Sequence, residues 1–431
     1  MIRFLRTLDA DALIREVRLI ALDCPVQSFP AVKGRKKAIG RIAYIPIEVA
    51  ARDMPHRLWI AGELAKRGWE VIAGAAWNLQ AVQYSDLPPG LILLKTLNYL
   101  DAIVAAKATE SGHAIACLHE ELFAIEPTPQ NYAAHCHPAT VPLVDLICAQ
   151  GKPQARAFDA LGYRGSITGN PRAGDPLQCR LGPYEILVCL QTGNTNGIMP
   201  FGHYMRATMN VMGGSRKPVV DAMIAQIEHE VACHALLIEA ANDLAAVPEV
   251  RLRLRPHPVE DATAYEVDGN CILDDRSPLR RRLTGCQLLI HAAGCGTAVD
   301  AELAGVHHEA VGEGGFGIVG PARDHFAPVN LPDVLSKWQA DHHAPQDTTA
   351  LFAYCCRHYV WQPNDFQRGK FADVSLAEVV AMSGFAKVAK IGWNLWHLDG
   401  AAKSDNQWVA RVKFAPLPKV GALNEAHHKV A

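Results

Sequence analysis

One pattern constrains this chain more than any other. Short apolar runs alternate along it with stretches that carry apolar residues at helical spacing. "AIGRIAYIPIEV" reads as a buried strand punctuated by Gly and Pro. "DMPHRLWIAGELAKRG" follows, with Leu58, Ala61, Leu64 and Ala65 at helical spacing and Gly68 placed to stop the helix. "WEVIAGA" is the next strand. The alternation recurs through "GLILLKT", "LDAIVAAKATESG", "HAIACLHEE", "LVDLICAQG", "KPQARAFDALG" and "RGSITGNPR". Strands alternating with helices predict an α/β fold with a parallel, doubly wound sheet.

A second series opens near residue 184. "YEILVCLQTG" is a strand that ends in a Gly/Asn loop, and a long helix follows with Pro218 near its first turn. "VRLRLRPHP" and "CQLLIHAAG" are strands, "GTAVDAELAG" is a helix, and "HHEAVGEGG" opens a loop. The expected organisation is a leader helix and basic linker (1–36), one Rossmann-like domain (37–178), a second (179–345), and C-terminal helices that pack back on the first domain (346–431). Two such domains facing each other leave a cleft lined by strand C-terminal ends and helix N-termini, the usual ligand position in open α/β sheets.

Composition narrows the function. With 42 basic and 44 acidic residues the formal net charge is −2, which excludes bulk attraction to nucleic acid. Anionic ligands must be held by local clusters. The first 23 residues spread their charges as an amphipathic helix does, unlike a secretion signal. No apolar run approaches the roughly 18 residues of a spanning helix. The 12 cysteines are scattered, which points to a reduced, cytoplasmic setting. "VKGRKK" reads as a solvated linker, with peripheral contact at the inner face of a membrane as the alternative.

Candidate site residues cluster at predicted strand ends. In "LLIHAAGCGTAVDAELAG" a strand ends at His291 and a helix opens at Gly296, with Thr297 as N-cap and Asp300 at capping-box spacing. Such a helix start can hold a phosphate. In "RPHPVE", Arg255 could pair with a phosphate, His257 could donate to an oxygen or act as an acid, and Glu260 could orient either. Asn194, Thr195 and Asn196 in "LQTGNTNG" suit a base, a sugar or a phosphate, or form a plain Asx turn. In the first half, Glu48, Arg52, Asp53 and His56 follow one strand, and His119, Glu120 and Glu121 follow another. Two carboxylate-bearing strand ends facing one cleft could supply a base or a nucleophile. The pairs His307/His308 and His342/His343, and His135 with His137, lack zinc-site spacing, so no metal is expected. No P-loop and no convincing dinucleotide fingerprint is present.

Taken together and in order, "YIPIEVAARD", "HEE", "GNPRAGD", "TGNTNG", "RPHPVE" and "IHAAGCGTAVDAELAG" resemble the bacterial surface-carbohydrate biosynthesis proteins, glycosyltransferases of the GT-B fold. The nearest characterised relatives in that resemblance transfer 3-deoxy-manno-oct-2-ulosonic acid (Kdo) from its CMP-activated form. It covers about residues 40 to 315. It implies that the second half holds a CMP-linked sugar and the first half a glycan or glycolipid acceptor. Arg255, His257, Thr297 and Asp300 would approach the donor phosphate and ribose, with Asn194, Thr195, Asn196, Glu260, His291 and Gly296 around them. Arg52, Asp53 and Arg172 would lie on the acceptor side. Glu120 or Glu121, then Glu48, would be base or nucleophile, with His257 assisting departure of the nucleotide. Two positions depart from the family pattern. His119 stands where an Asp is usual, and Asp300 where Glu is commoner. No cofactor beyond the donor is required, and retention or inversion stays open. The rivals are an epimerase or hydrolase of nucleotide sugars on the same fold, and an inactive binding relative.

Overall fold

The computed structural model describes residues 2–29, 40–48, 50–75, 89–173, 185–275, 279–312, 317–318, 321 and 324–341. The basic run at 33–37, His342/His343 and the helices expected beyond 346 lie outside the described residues.

Residues Ile2–Phe4 form strand β1 and Ala10–Asp23 form helix α1. The first sheet is built from β2 (Ile42–Ile47), β3 (Glu70–Ala75), β4 (Leu91–Leu94), β5 (Ala114–Cys117), β6 (Leu146–Ala149) and β7 (Gly165–Ile167). Its order is β3-β2-β4-β5-β6-β7, and every pair is parallel. The reason lies in the side chains. Ala43, Ile45, Leu91, Leu93, Ala114, Ala116, Leu146 and Cys148 pack on one face, and Ile42, Tyr44, Ile92, Leu94, Ile115, Cys117, Ile147 and Ala149 on the other. A strand apolar on both faces needs a layer on each side, and the crossover helices supply it. These are α2 (Ala50–Lys66), α3 (Tyr99–Glu110), α4 (Pro129–His135) and α5 (Lys152–Ala160). Local capping sets where two of them begin. Asn98 accepts from the Asp101 amide at the start of α3, and Thr128 accepts from the Asn131 amide before Pro129 in α4.

The second sheet holds β8 (Glu185–Cys189), β9 (Arg251–Arg255), β11 (Cys271–Leu273), β12 (Leu288–Ala292) and β13 (His307–Val311). Its order is β11-β9-β8-β12-β13, again parallel throughout. Helices α6 (Phe201–Val211), α7 (Lys217–Ala245), α8 (Leu279–Leu283) and α9 (Gly296–Ala304) complete it, and α9 ends on Gly305 in the left-handed region (φ 70°). The fold is therefore two doubly wound α/β units. No helix among the described residues is long and apolar enough to cross a membrane.

Three details differ from the sequence expectation. The stretch at His307 is the edge strand β13, paired residue for residue with β12, where a loop was expected. The N-terminal segment is no detached leader. β1 pairs antiparallel with β10 (Tyr265–Val267) of the second half, and Ile14, Val17 and Ile20 of α1 bury against Met205, Met209 and Ile227. An amphipathic pattern reveals that a face is buried, and leaves its partner unnamed. The return to the first half comes earlier than 346. Ala327 N–H donates to Gln150 (2.7 Å) and Asn330 N–H to Thr168 (2.9 Å). A Cβ on Gly151 would fall 1.9 Å from the His325 carbonyl oxygen, so the returning chain fits only against glycine there. Helix α10 (Leu331–Asp341) then buries Leu331 and Leu335 in the first core beside Leu64 and Trp69.

This docking predicts that Leu335→Ala, at a fully buried position, costs about 2–5 kcal/mol. Urea unfolding followed by Trp fluorescence checks it, and no measurable loss would mean that α10 does not dock on this core.

Candidate functional site

Each sheet reverses its direction of growth once. In the first, β3 and β4 lie on opposite sides of β2, and in the second, β9 and β12 lie on opposite sides of β8. Loops at the carboxyl ends of the strands on either side of such a reversal splay apart and leave room for a ligand. A cavity of about 880 Å³ opens where the two sets of strand ends meet. The first half contributes Glu48, Thr96, Asn98, His119, Glu121 and His135, and the second contributes Gln191, Gly193, Asn194, Glu230, His257 and Val259. Residues of α4, α6 and α7 close the rest with a largely apolar surface that includes Met205, Met212 and Met223.

The first-half wall hangs on charge. Lys95, just past β4, is an ion-pair partner of Glu48, of Glu121 (3.0 Å) and of the buried Asp53 (3.3 Å). Glu48 and Glu121 remain about two-fifths exposed, at 43% and 40%. Glu120 faces the other way. Arg57 of α2, with no exposed surface, donates to its Oε1 at 2.6 Å, and His56 Nε2 lies 2.9 Å from the same oxygen. The Arg57 guanidinium also donates to the Leu93 carbonyl (2.9 Å) and the Leu94 carbonyl (3.4 Å). Burial alone would raise the Glu120 carboxyl, but the Arg57 and His56 charges outweigh it and hold the group below its ordinary value. Of the two glutamates in "HEE", Glu121 lines the cavity and Glu120 is structural.

The second-half wall hangs on buried carboxylates. Glu230, on α7 and 2% exposed, accepts from the amides of Asn194 (3.2 Å) and Thr195 (3.1 Å), from the Thr195 hydroxyl (3.1 Å) and from Gln226 (3.1 Å). Burial pushes its carboxyl up to about 7 against these donors, which favour the ionised form. Glu260 accepts from the Thr192 amide and from the Tyr265 hydroxyl (3.3 Å), and burial likewise raises it to about 7. A Cβ on Gly193 would lie 2.8 Å from the His257 ring and 2.9 Å from Val259, so a larger residue there would have to push these two side chains aside. Sequence reading missed Glu230, since a lone Glu inside a long helix reads as solvated.

Several predicted donor residues are engaged elsewhere. Arg255 is buried and donates to the buried Asp274 after β11, with Arg282 3.0 Å from the same carboxylate. Thr297 is not the N-cap of α9. Cys295 holds that position, and the Thr297 hydroxyl donates to its sulfur (3.1 Å). Asp300 therefore falls outside a capping box and pairs with Arg172 of the first half (3.3 Å), whose guanidinium stacks 4.2 Å from the Phe123 ring centre. Gly296 abuts Ala124 across the domain boundary, at 3.5 Å for an added Cβ. Asn196 is buried and accepts from Arg6, and His291 lies 3.0 Å from His308. Asp53 supports Lys95, and the Arg52 side chain lies outside what is described. Arg253 pairs with Glu185 (2.6 Å) at the sheet surface. Among the described residues no group of three His, Cys, Asp or Glu side chains could hold a metal ion.

No described protein family and no curated protein matches the sequence. Several solved structures are weakly similar to it. A putative UDP-N-acetylglucosamine 2-epimerase from Listeria monocytogenes is 9% identical, over 71% of this chain and 88% of that one, with a TM-score of 0.41. Anabaena Alr3699/HepE, solved with UDP and glucose, is 12% identical over 69% and 89%, with a TM-score of 0.38. The spinosyn rhamnosyltransferase SpnG, solved with thymidine diphosphate, is 16% identical over 80% and 95%, with a TM-score of 0.35. At this distance the fold rests on the chain's own strand order.

The Arg57–Glu120 pair yields a prediction with a sign. A Glu120 pKa held below its ordinary 4.5 gives stability that is full above that value and is lost as pH falls through the folded one. Arg57→Met strands the carboxylate and is expected to cost about 3–5 kcal/mol near neutral pH. The deficit should shrink on acidification, when the stranded carboxylate takes up a proton. Urea unfolding at neutral pH and near pH 4 checks this, and a deficit independent of pH would contradict it.

Proposed function

We propose that this chain is a glycosyltransferase that moves a sugar from a nucleotide-activated donor to a hydroxyl acceptor. One observation carries the reading: Glu48 and Glu121, at strand ends of the first sheet, line the same cavity as Asn194 and His257, at strand ends of the second. The donor lies against the second-half loops and the acceptor against the first-half wall. Glu121 takes the acceptor hydroxyl proton as that oxygen bonds the anomeric carbon, and the bond from that carbon to the phosphate oxygen breaks. His257, at the end of β9, faces the departing phosphate and stabilises its charge. With Arg255 engaged by Asp274, this task falls to His257 and to Lys217, which also lines the cavity.

The choice of donor rests on the motif resemblance alone, which favours CMP-Kdo or a related ulosonic acid for assembly of a surface glycan. Cytoplasmic placement, with contact at the inner membrane face through the basic run, belongs to the same proposal.

Glu121→Gln is expected to lower kcat by at least about 100-fold while leaving donor binding intact. A thermal-shift panel of CMP-, UDP-, GDP- and TDP-sugars reads donor binding, because a bound ligand raises Tm by mass action. A response only to UDP-sugars would replace the CMP choice. Nucleotide release that is indifferent to any acceptor would turn the reading toward a hydrolase or epimerase.

A further inference from the structure

One side of the cavity is apolar and open to a ligand. On α7, Val219, Ala222, Met223 and Gln226 recur at i, i+3, i+4 and i+7, so one face of that helix looks into the cavity. Tyr204 of α6 and Met212 at its C-cap join this face, and Ile125 closes it from the first half. Ala222, Met223, Tyr204, Met212 and Ile125 are only half-buried, so their surface stays within reach of an occupant.

Each polar side chain that α6 and α7 bring to the cavity is engaged within the protein. The Thr208 hydroxyl donates to the Tyr204 carbonyl (2.9 Å), and the Tyr204 hydroxyl meets the Thr208 side chain. Gln226 donates to Glu230 (3.1 Å), which also accepts from the Asn194 and Thr195 amides. Lys217 pairs with Asp221 (2.5 Å) at the exposed start of α7. A sugar ring laid on this face would give up water and gain few hydrogen bonds in return. An apolar ring gains by burial, and the two methionines can shape themselves to it, with their sulfurs at the edge of an aromatic ring.

We infer that the acceptor is a hydroxyl borne on a compact apolar ring body, aromatic or alicyclic, with the hydroxyl at Glu121 and the ring on the face shared by α6 and α7. The inference deepens the transferase reading, on which the role of Glu121 rests. It departs from the glycan acceptor that the motif resemblance implies. A long alkyl chain fits less well, because the Lys217–Asp221 pair puts charge where this face runs out to solvent.

Calorimetric titration with 2-naphthol, methyl α-glucoside and 1-octanol tests the assignment. The naphthol should bind most tightly, with the negative heat-capacity change of apolar burial. Met223→Gln and Ala222→Leu should each weaken it about fivefold or more. Met223→Leu should retain it. Ala222→Leu adds apolar volume and removes no polar contact, so it carries the test if Met223→Gln lowers Tm. Naphthol binding unchanged by Ala222→Leu would overturn the inference, as would tighter binding of the glucoside or the octanol. If the naphthol pattern holds while no nucleotide sugar is transferred to it, the transferase reading fails and the apolar site stands.

Discussion

The buried pair of Arg57 and Glu120 is the interaction on which the first-half wall depends. One guanidinium ties together three elements: α2, which carries it, the end of β4 through two carbonyls, and the turn after β5 through Glu120. Fixing Glu120 fixes its neighbours. His119 and Glu121, on either side of the anchor, both line the cavity, and Glu121 meets Lys95 at the adjacent strand end. A buried charge pair is a weak source of net stability, because desolvation offsets most of its attraction. Its effect here is positional. A catalytic or binding group on a loop is only as well placed as the groups that hold that loop.

The second half solves the same problem with different chemistry. Its cleft loop, Thr192 to Asn196, would leave several amides without partners, and two buried glutamates supply acceptors. Glu260 takes the Thr192 amide, and Glu230 takes those of Asn194 and Thr195. These amides are consequently satisfied within the protein and are not available to a phosphate. Charge against charge holds one wall, and carboxyl against backbone holds the other. Both place short polar side chains at the point where the parallel sheet reverses direction.

The sheets were legible from sequence because strands buried on both faces read as continuous apolar runs, and the helices between them kept their period. Site chemistry was legible as location more than as role. "HEE" was recognisable as a strand end with carboxylates, but which glutamate is the anchor depends on Arg57, a cation on a helix more than sixty positions away. Arg255 carries the same lesson. Its partner Asp274 directly follows β11, a three-residue strand too short to announce itself by periodicity, whose register places Leu273 beside Leu254. Had that strand been recognised, the next pair along it would have set Asp274 against Arg255. Thr297 looked like a cap because capping residues are read from type and spacing, whereas the cap lies two residues earlier, at Cys295, and Thr297 is already inside the helix.

The two halves also meet along a seam beside the start of α9. Ile125 bridges to Gly317, the Ile318 amide donates to Ala124 (2.9 Å), and Gly296 at the start of α9 packs against Ala124. Arg172 and Asp300 close the same side with an ion pair. A helix N-terminus attracts an anion only where its amides face open space. Here Gly296 meets Ala124 of the other domain on one side, while the first turn of α9 stays half-exposed. On the far side of the seam, Gly193, Asn194 and His257 of the second half line one cavity with Glu48 and Glu121 of the first.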